Sequence, residues 1–401
     1  MGRQFLGSMG RTFTAGMALT ALTVLLAGGV EGTPQMAPQM EVDRLWPQPL
    51  PNHWILGSVT GVAIDGRDHV WVVHKGAASL NARTEASLAS TPPGAEYCCV
   101  AAPFVLEFDN AGALVGHWGG PGAAYDWPLT PGALAVDGNG NVWITAAGIP
   151  PAAGGRGRGR GGRGGRGGAP PAAPPPQDAH VLKFSRDGKF LIQIGKPGEL
   201  GSPDSRTGLS RPAGVDVDTA ANEVYVADTG NRRVVVFDAT TGAYKRHWGA
   251  YGSPPGDAAP APYAPSAAAA KEFRTPSCIA LAQTGEVFVC DRESNRIQVF
   301  RKDGTFVKEA VVSAGTLGSG SVWDVAFSRG RAQPFVYVVN GQEQTLHILG
   351  RDTLAEQGRI GSGGRWPGHF FGVGSIAVNS QGNVITGESL EGKRVQKFVI
   401  R

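Results

Sequence analysis

The chain has 401 residues, a formal net charge of +4 at neutral pH, 60 glycines, 29 prolines and four cysteines. Five positive charges sit in one Gly-Arg tract (Arg156, Arg158, Arg160, Arg163 and Arg166) and Arg3 and Arg11 precede the first apolar run, so the remaining body is slightly acidic. That balance argues against a basic nucleic-acid-binding face, and the cysteines lack zinc-knuckle spacing.

The apolar run from Ala15 to Ala27 is short for a membrane span and ends in Gly28-Gly29. With the arginines before it, residues 1–33 read as a signal peptide, which predicts export to the periplasm or the extracellular space. No second hydrophobic stretch suggests membrane insertion, and residues 34–401 are expected to form a single domain.

Six degenerate copies of one strand pattern follow. They begin Gly61-Val-Ala-Ile-Asp, Ala133-Leu-Ala-Val-Asp, Gly214-Val-Asp-Val-Asp, Cys278-Ile-Ala-Leu-Ala, Trp323-Asp-Val-Ala-Phe and Ser375-Ile-Ala-Val-Asn. Each turns through Gly, Asn, Asp or Gln into a second apolar run such as Val70-Trp-Val-Val or Val224-Tyr-Val-Ala. Arg233-Val-Val-Val-Phe and Arg296-Ile-Gln-Val-Phe are third strands, while Tyr244-Lys-Arg-His-Trp and Phe306-Val-Lys-Glu are fourth strands, joined through turns such as Lys302-Asp-Gly. A repeat of roughly 40 to 50 residues built from short strands predicts an all-β chain, a six-bladed β-propeller of four-stranded antiparallel blades. The last copy stops after its third strand, Val395-Gln-Lys-Phe-Val-Ile. Asp43-Arg-Leu-Trp-Pro resembles an outer strand, so an N-terminal strand is expected to close the ring and remove two open sheet edges. Aromatic residues recurring on the second strands (Trp71, Trp143, Tyr225, Phe288 and Tyr337) are expected to pack between blades.

Three long segments interrupt the pattern: Ala77 to Pro103, Pro150 to Gln177 with the Gly-Arg tract, and Tyr251 to Ala270. Residues 150–177 have almost nothing apolar to bury and are expected to be disordered. In a propeller all three project from one face, around the channel mouth, and loops on a rigid scaffold are where binding is sought. Cys278 and Cys290 stand on the first two strands of one hairpin and fit a disulfide or two buried thiols equally. Cys98 and Cys99 fit a vicinal disulfide or free thiols.

Val226-Ala-Asp-Thr-Gly-Asn before Arg233, and Val289-Cys-Asp-Arg-Glu-Ser before Arg296, resemble the NHL repeat. Val73-His-Lys-Gly and the closing Gly392-Lys-Arg-Val-Gln-Lys-Phe are most similar to the propeller of peptidyl-hydroxyglycine (peptidylamidoglycolate) amidating lyases and their bacterial relatives. That resemblance implies a lyase that cleaves a hydroxyglycine C-terminus, with zinc on three channel histidines. The corresponding positions here are Gly132, Ser277 and Gly374, and two glycines offer no donor at all. The arginine implied in blade one is replaced in the pair His74-Lys75, and lysine lacks the bidentate fork for a carboxylate. The tyrosine implied in blade three is missing from Asp228-Thr-Gly-Asn, and Ser375 stands where calcium would be met by an acid.

At the ends of the second strands a ring of polar residues remains: His74, Lys75, Asp228, Asp291 with Arg292, Asn340 and Glu388. These are the candidate binding residues, with His74, Lys75 and Glu388 the candidates for any catalysis. Their competing reading is turn stabilisation, since Asp before a Gly or Asn loop bonds its own backbone. Six of the other histidines (His53, His69, His117, His180, His247 and His347) read as ordinary packed or surface residues. The expectation is an exported, non-catalytic binding module taking a peptide, protein or glycan on its loop-rich face, with no cofactor and no nucleic acid. The alternative is a divergent amidating-lyase-like or lactonase-like enzyme using zinc or calcium, the latter requiring Asp228, Asp291, Asn340 and Glu388 to point inward.

Overall fold

The computed structural model describes residues 36–148 and 176–401. The expected signal peptide and nearly all of the 150–177 insertion lie outside the described residues. The rest forms six four-stranded antiparallel sheets, and the expected propeller stands.

Blade one comprises Val59–Ile64, Val70–His74, Val105–Phe108 and Leu114–Trp118, from the innermost strand outward. Blade two is Pro131–Val136, Val142–Ala146, His180–Phe184 and Phe190–Gly195; blade three is Pro212–Asp218, Glu223–Asp228, Arg233–Asp238 and Tyr244–Trp248. Blade four is Pro276–Leu281, Glu286–Asp291, Arg296–Arg301 and Phe306–Val311. Asp324–Phe327, Phe335–Asn340, Thr345–Gly350 and Glu356–Ile360 make blade five. Blade six is Val373–Val378, Val384–Glu388 and Val395–Ile400, completed by Met40–Asp43.

The closing strand pairs Met40 with Ile400 and Asp43 with Lys397. It lies ahead of the segment the sequence pattern singles out, because Pro47 has no N–H for a ladder. Trp46 is instead buried in the core of blade one, 6.0 Å from Phe108. One copy is also displaced. Read by pattern, Trp323 aligns with Gly61 and Ser375, but Asp324 pairs with Val339 as Ser375 pairs with Gly387. A one-residue slip exchanges the two faces of a strand, so it decides where Asp324 points.

The core lies between blades. Trp71, Trp143, Tyr225, Phe288 and Tyr337 are all buried in clusters that join adjacent sheets, and each such ring contributes about 2–3 kcal/mol of burial. Inner strands approach so closely that glycine is required at two points: a Cβ on Gly61 would stand 2.7 Å from the Leu134 nitrogen, and one on Gly214 2.8 Å from Cys278 Cα. Cys278 and Cys290 face each other across their hairpin and are disulfide-bonded, as are Cys98 and Cys99 in the blade-one insertion.

Because the sheets are antiparallel, second-to-third-strand loops and blade-to-blade connections open on the same face. Their mutual contacts bear this out. Lys393 Nζ is 2.8 Å from the Glu85 carboxylate, and Arg232 Nη2 donates to Gly256 O at 2.8 Å.

Candidate functional site

The expected ring residues do sit at the mouth ends of the second strands, but most of them face into their own blades. Asp228 accepts from Ser210 N–H (2.7 Å), Asn231 Nδ2 (2.7 Å) and Arg233 Nε (2.9 Å). Asp291 repeats the pattern with Arg274 N–H, Thr275 N–H and Arg296 Nε. Glu388 accepts from Phe371 N–H, Arg394 Nε and Gln396 Nε2. Asn340 accepts from Glu343 N–H and donates toward His347. All four are fully buried, and no hydrogen bond links any two of them among the described residues. They are turn-and-strand fasteners, so they do not converge on one cation as a lactonase site would need.

His74 is likewise internal. Its Nδ1 accepts from the N–H groups of Gly57 (3.0 Å) and Gly76 (3.1 Å), while Nε2–H donates to Pro103 O (2.8 Å). Burial pushes its pKa down to about 4 against the pull of that carbonyl. No face of the ring is left to act on a substrate. Lys75 beside it is half-buried, and burial lowers its pKa.

The zinc positions cannot be rebuilt. A Cβ on Gly132 would lie 2.3 Å from Thr145 Oγ1, and one on Gly374 2.9 Å from Ser389 Oγ, so threonine and serine side chains fill the space a histidine would need. Ser277 Oγ lies 3.4 Å from the carbonyls of Val322 and Trp323. These residues do not fit the metal. Asp65, His69 and Glu107 are the one close three-donor group among the described residues, on the opposite face. Arg186 occupies it, with Nη1 2.7 Å from Asp65 Oδ2 and Nη2 bonded to Glu107, so its positive charge is already supplied.

Two features were missed. The first is in the channel, a cavity of about 200 Å³ bounded by all six inner strands. Asp216 and Asp324 line it. Each accepts its own strand's next N–H and one from the following blade, Leu281 for Asp216 (2.8 Å) and Ile376 for Asp324 (3.0 Å). These carboxylates satisfy edge N–H groups that have no strand beside them. Desolvation raises Asp216 to about 6 and Asp324 to about 7. Both folded-state values exceed those of the unfolded chain. Their stabilising contribution is therefore complete below about pH 4 and lost as pH rises through about 6 and 7. The Asp216→Asn/Asp324→Asn double variant should be more stable than wild type at pH 8, by about 1–2 kcal/mol after screening by channel water, and equal to it at pH 4. Thermal unfolding at the two pH values checks this; an equal difference at both would refute it.

The second is a pocket of about 460 Å³ at the mouth, lined by Arg211, Arg232, Arg274 and Arg292 together with Thr229, Ser277 and a single acid, Glu293. Arg232 and Arg274 are held by loop carbonyls, those of Asp257 and Ala261 among them. Arg292 stacks 4.9 Å above the Trp323 ring, and its Nε has no acceptor. Burial lowers its pKa, but a guanidinium stays charged. Neither Arg211 nor Arg292 has a salt-bridge partner among the described residues. Only Arg292 was expected at the mouth; Arg211 precedes an inner strand and bears no motif that would mark it.

With this geometry in place, residues 209–237 and 273–300 match the family model of the NHL repeat. Blades three and four carry NHL repeats. The NHL stretches contain Asp228, Arg233, Asp291 and Arg296, the pairs just described. Among solved structures, the chain is similar to streptogramin B lyase at 10% identity and TM-score 0.48, covering 90% of this chain and 98% of that one. It is also similar to a catalytically inactive virginiamycin B lyase from Staphylococcus aureus with quinupristin (12%, TM-score 0.46, 90% and 89%). A nidogen/laminin complex is similar at 12% identity and TM-score 0.44, covering 76% and 80%. At this level the likeness says nothing of activity. No curated protein matches the chain. Among the described residues no helix is long and apolar enough to cross a membrane.

Proposed function

We propose that the chain is an exported binding module whose mouth face captures an anionic group on a peptide, protein or glycan without chemical conversion at that pocket. The observation that carries this reading is the arginine pocket. Four arginines and a single acid line one pocket, and Arg292 is half-buried, stacked on Trp323 and has no acceptor for its Nε. A half-buried guanidinium without a counter-charge is costly unless an anion completes it, and its planar fork suits carboxylate, sulfate or phosphate oxygens. Exposed Leu317, Trp366 and Leu390 on the same face add apolar area for a partner. Export is supported by the N-terminal apolar run and by the pairing of all four cysteines.

The test is titration calorimetry against arrays of anionic and neutral peptides and glycans. Charge-assisted hydrogen bonds contribute about 1.5–3 kcal/mol, so Arg292→Gln should weaken an anionic hit by roughly 10- to 100-fold. Equal binding of neutral analogues, or an unchanged affinity in Arg292→Gln, would remove the pocket from consideration.

A further inference from the structure

A separate group of polar residues stands at the junction of blades four and five, away from the arginine pocket. Ser313 sits on the connection leaving blade four, His347 is on the third strand of blade five, and Glu356 opens that blade's outer strand. Ser313 Oγ lies 3.4 Å from His347 Nε2, and His347 Nδ1 lies 3.1 Å from Glu356 Oε2. We propose that Ser313, His347 and Glu356 form a serine-nucleophile triad that hydrolyses carboxylic esters bearing a short apolar acyl group.

The hydrogen bonds assign the tautomer the chemistry needs. Asn340 Oδ1 is taken by the Glu343 N–H, which turns its Nδ2 toward His347 Nε2 at 3.3 Å. Nε2 therefore carries the lone pair, which Asn340 Nδ2 and Ser313 Oγ approach together, and the ring proton sits on Nδ1, facing Glu356. Burial keeps the imidazole below its usual pKa and so neutral at neutral pH. Glu356 is held ionised by Arg359, whose guanidinium donates to both of its oxygens. The charged groups around the ring are Glu356, Arg359 and Glu343, and the last also lies 3.5 Å from Ser313 Oγ.

Ser313 has a positive φ of 51°, a conformation that non-glycine residues seldom adopt. Strain of that kind is one way a nucleophile is presented at a turn. The N–H groups of Ala314 and Gly315 have no hydrogen-bond acceptor among the described residues and are available to a developing oxyanion. Ala314 also lines a cavity of about 210 Å³ whose wall combines Tyr263, Pro265, Ala267 and Val311 with Arg274, Ser294, Arg296 and Glu309, room for a short acyl chain.

In the reaction Ser313 Oγ bonds to the ester carbonyl carbon as its proton passes to His347 Nε2. Collapse breaks the bond to the alcohol oxygen, which leaves with that proton. Water, deprotonated by the same imidazole, then displaces the acyl group from Ser313 and releases the carboxylic acid. Glu356 is a positioning residue that holds the ring and favours its protonated form.

The experiment is labelling of the intact protein with a fluorophosphonate, located by peptide mass spectrometry, alongside p-nitrophenyl butyrate hydrolysis. The expected result is one adduct on Ser313, abolished in Ser313→Ala and slowed roughly 100-fold or more in His347→Gln. Glu356→Gln should lower the plateau rate and move the acid limb of the labelling profile to lower pH, a shift that loss of packing alone would not produce. No adduct on Ser313 of the wild-type protein overturns the proposal. So does an adduct that forms at the wild-type rate in His347→Gln and Glu356→Gln proteins whose circular dichroism matches wild type.

Discussion

Arg296→Met will lower the unfolding free energy by about 3–5 kcal/mol, the range seen when one member of a buried ion pair is removed. Arg296 is 2% exposed and makes four bonds: Nε to Asp291 Oδ2 (2.9 Å), Nη1 to Tyr251 Oη and Ala270 O, and Nη2 to Glu272 O. Methionine fills much of the volume but leaves Asp291 charged inside the sheet with only two backbone donors, and it frees the connection around residues 251–272. Denaturant titration should show the loss, and hydrogen exchange should show that connection opening first. Adding Asp291→Asn should recover part of the stability, because the uncompensated charge is then gone. A loss under 1 kcal/mol in the single variant would mean that the pair is not structural. Arg233 holds the preceding loop in the same way, through Pro203, Ser205 and Gly208 carbonyls.

The second large effect is acid lability through His74. Its folded pKa of about 4 lies below the ordinary 6.5, so between those values the unfolded chain binds a proton that the native chain refuses. Stability from this residue is complete above about pH 6.5 and is lost as pH falls toward 4, a change of about 3 kcal/mol. Burial is the main cause, and a proton on Nδ1 would also displace the Gly57 and Gly76 N–H groups together. His74→Gln should be about 3 kcal/mol less stable than wild type at pH 7. That gap should close as pH falls to 4, while the channel aspartates change both proteins alike. A gap that is constant with pH would rule out titration of this ring.

Much of the fold was readable from the repeat itself. Alternating apolar residues interrupted by Gly, Asn and Asp turns mark strands wherever they occur, and the unfinished sixth copy implied a partner from the N-terminal side. The exact closing strand was not readable, because Trp46 resembles an outer-strand residue and only tertiary packing sends it into blade one. The mouth residues were placed at the right strand ends, but their direction was not: Asp228 and Asp291 are turned into their own blades, onto Arg233 and Arg296, five residues further on. Asp324 was hidden by a one-residue slip in register. Ser313, His347 and Glu356 span 43 positions with no motif between them, and only the stacking of blades four and five brings them into contact.

The way the ring is fastened has a consequence for biogenesis. Met40 and Ile400 lie side by side yet leave the ribosome 360 positions apart, so at ordinary rates of synthesis the first strand waits on the order of half a minute for its mate. Through that wait its backbone N–H and C=O groups are unpaired and open to neighbouring nascent chains. Its brevity and its two acids, Glu41 and Asp43, are suited to keeping it solitary until the final strand arrives.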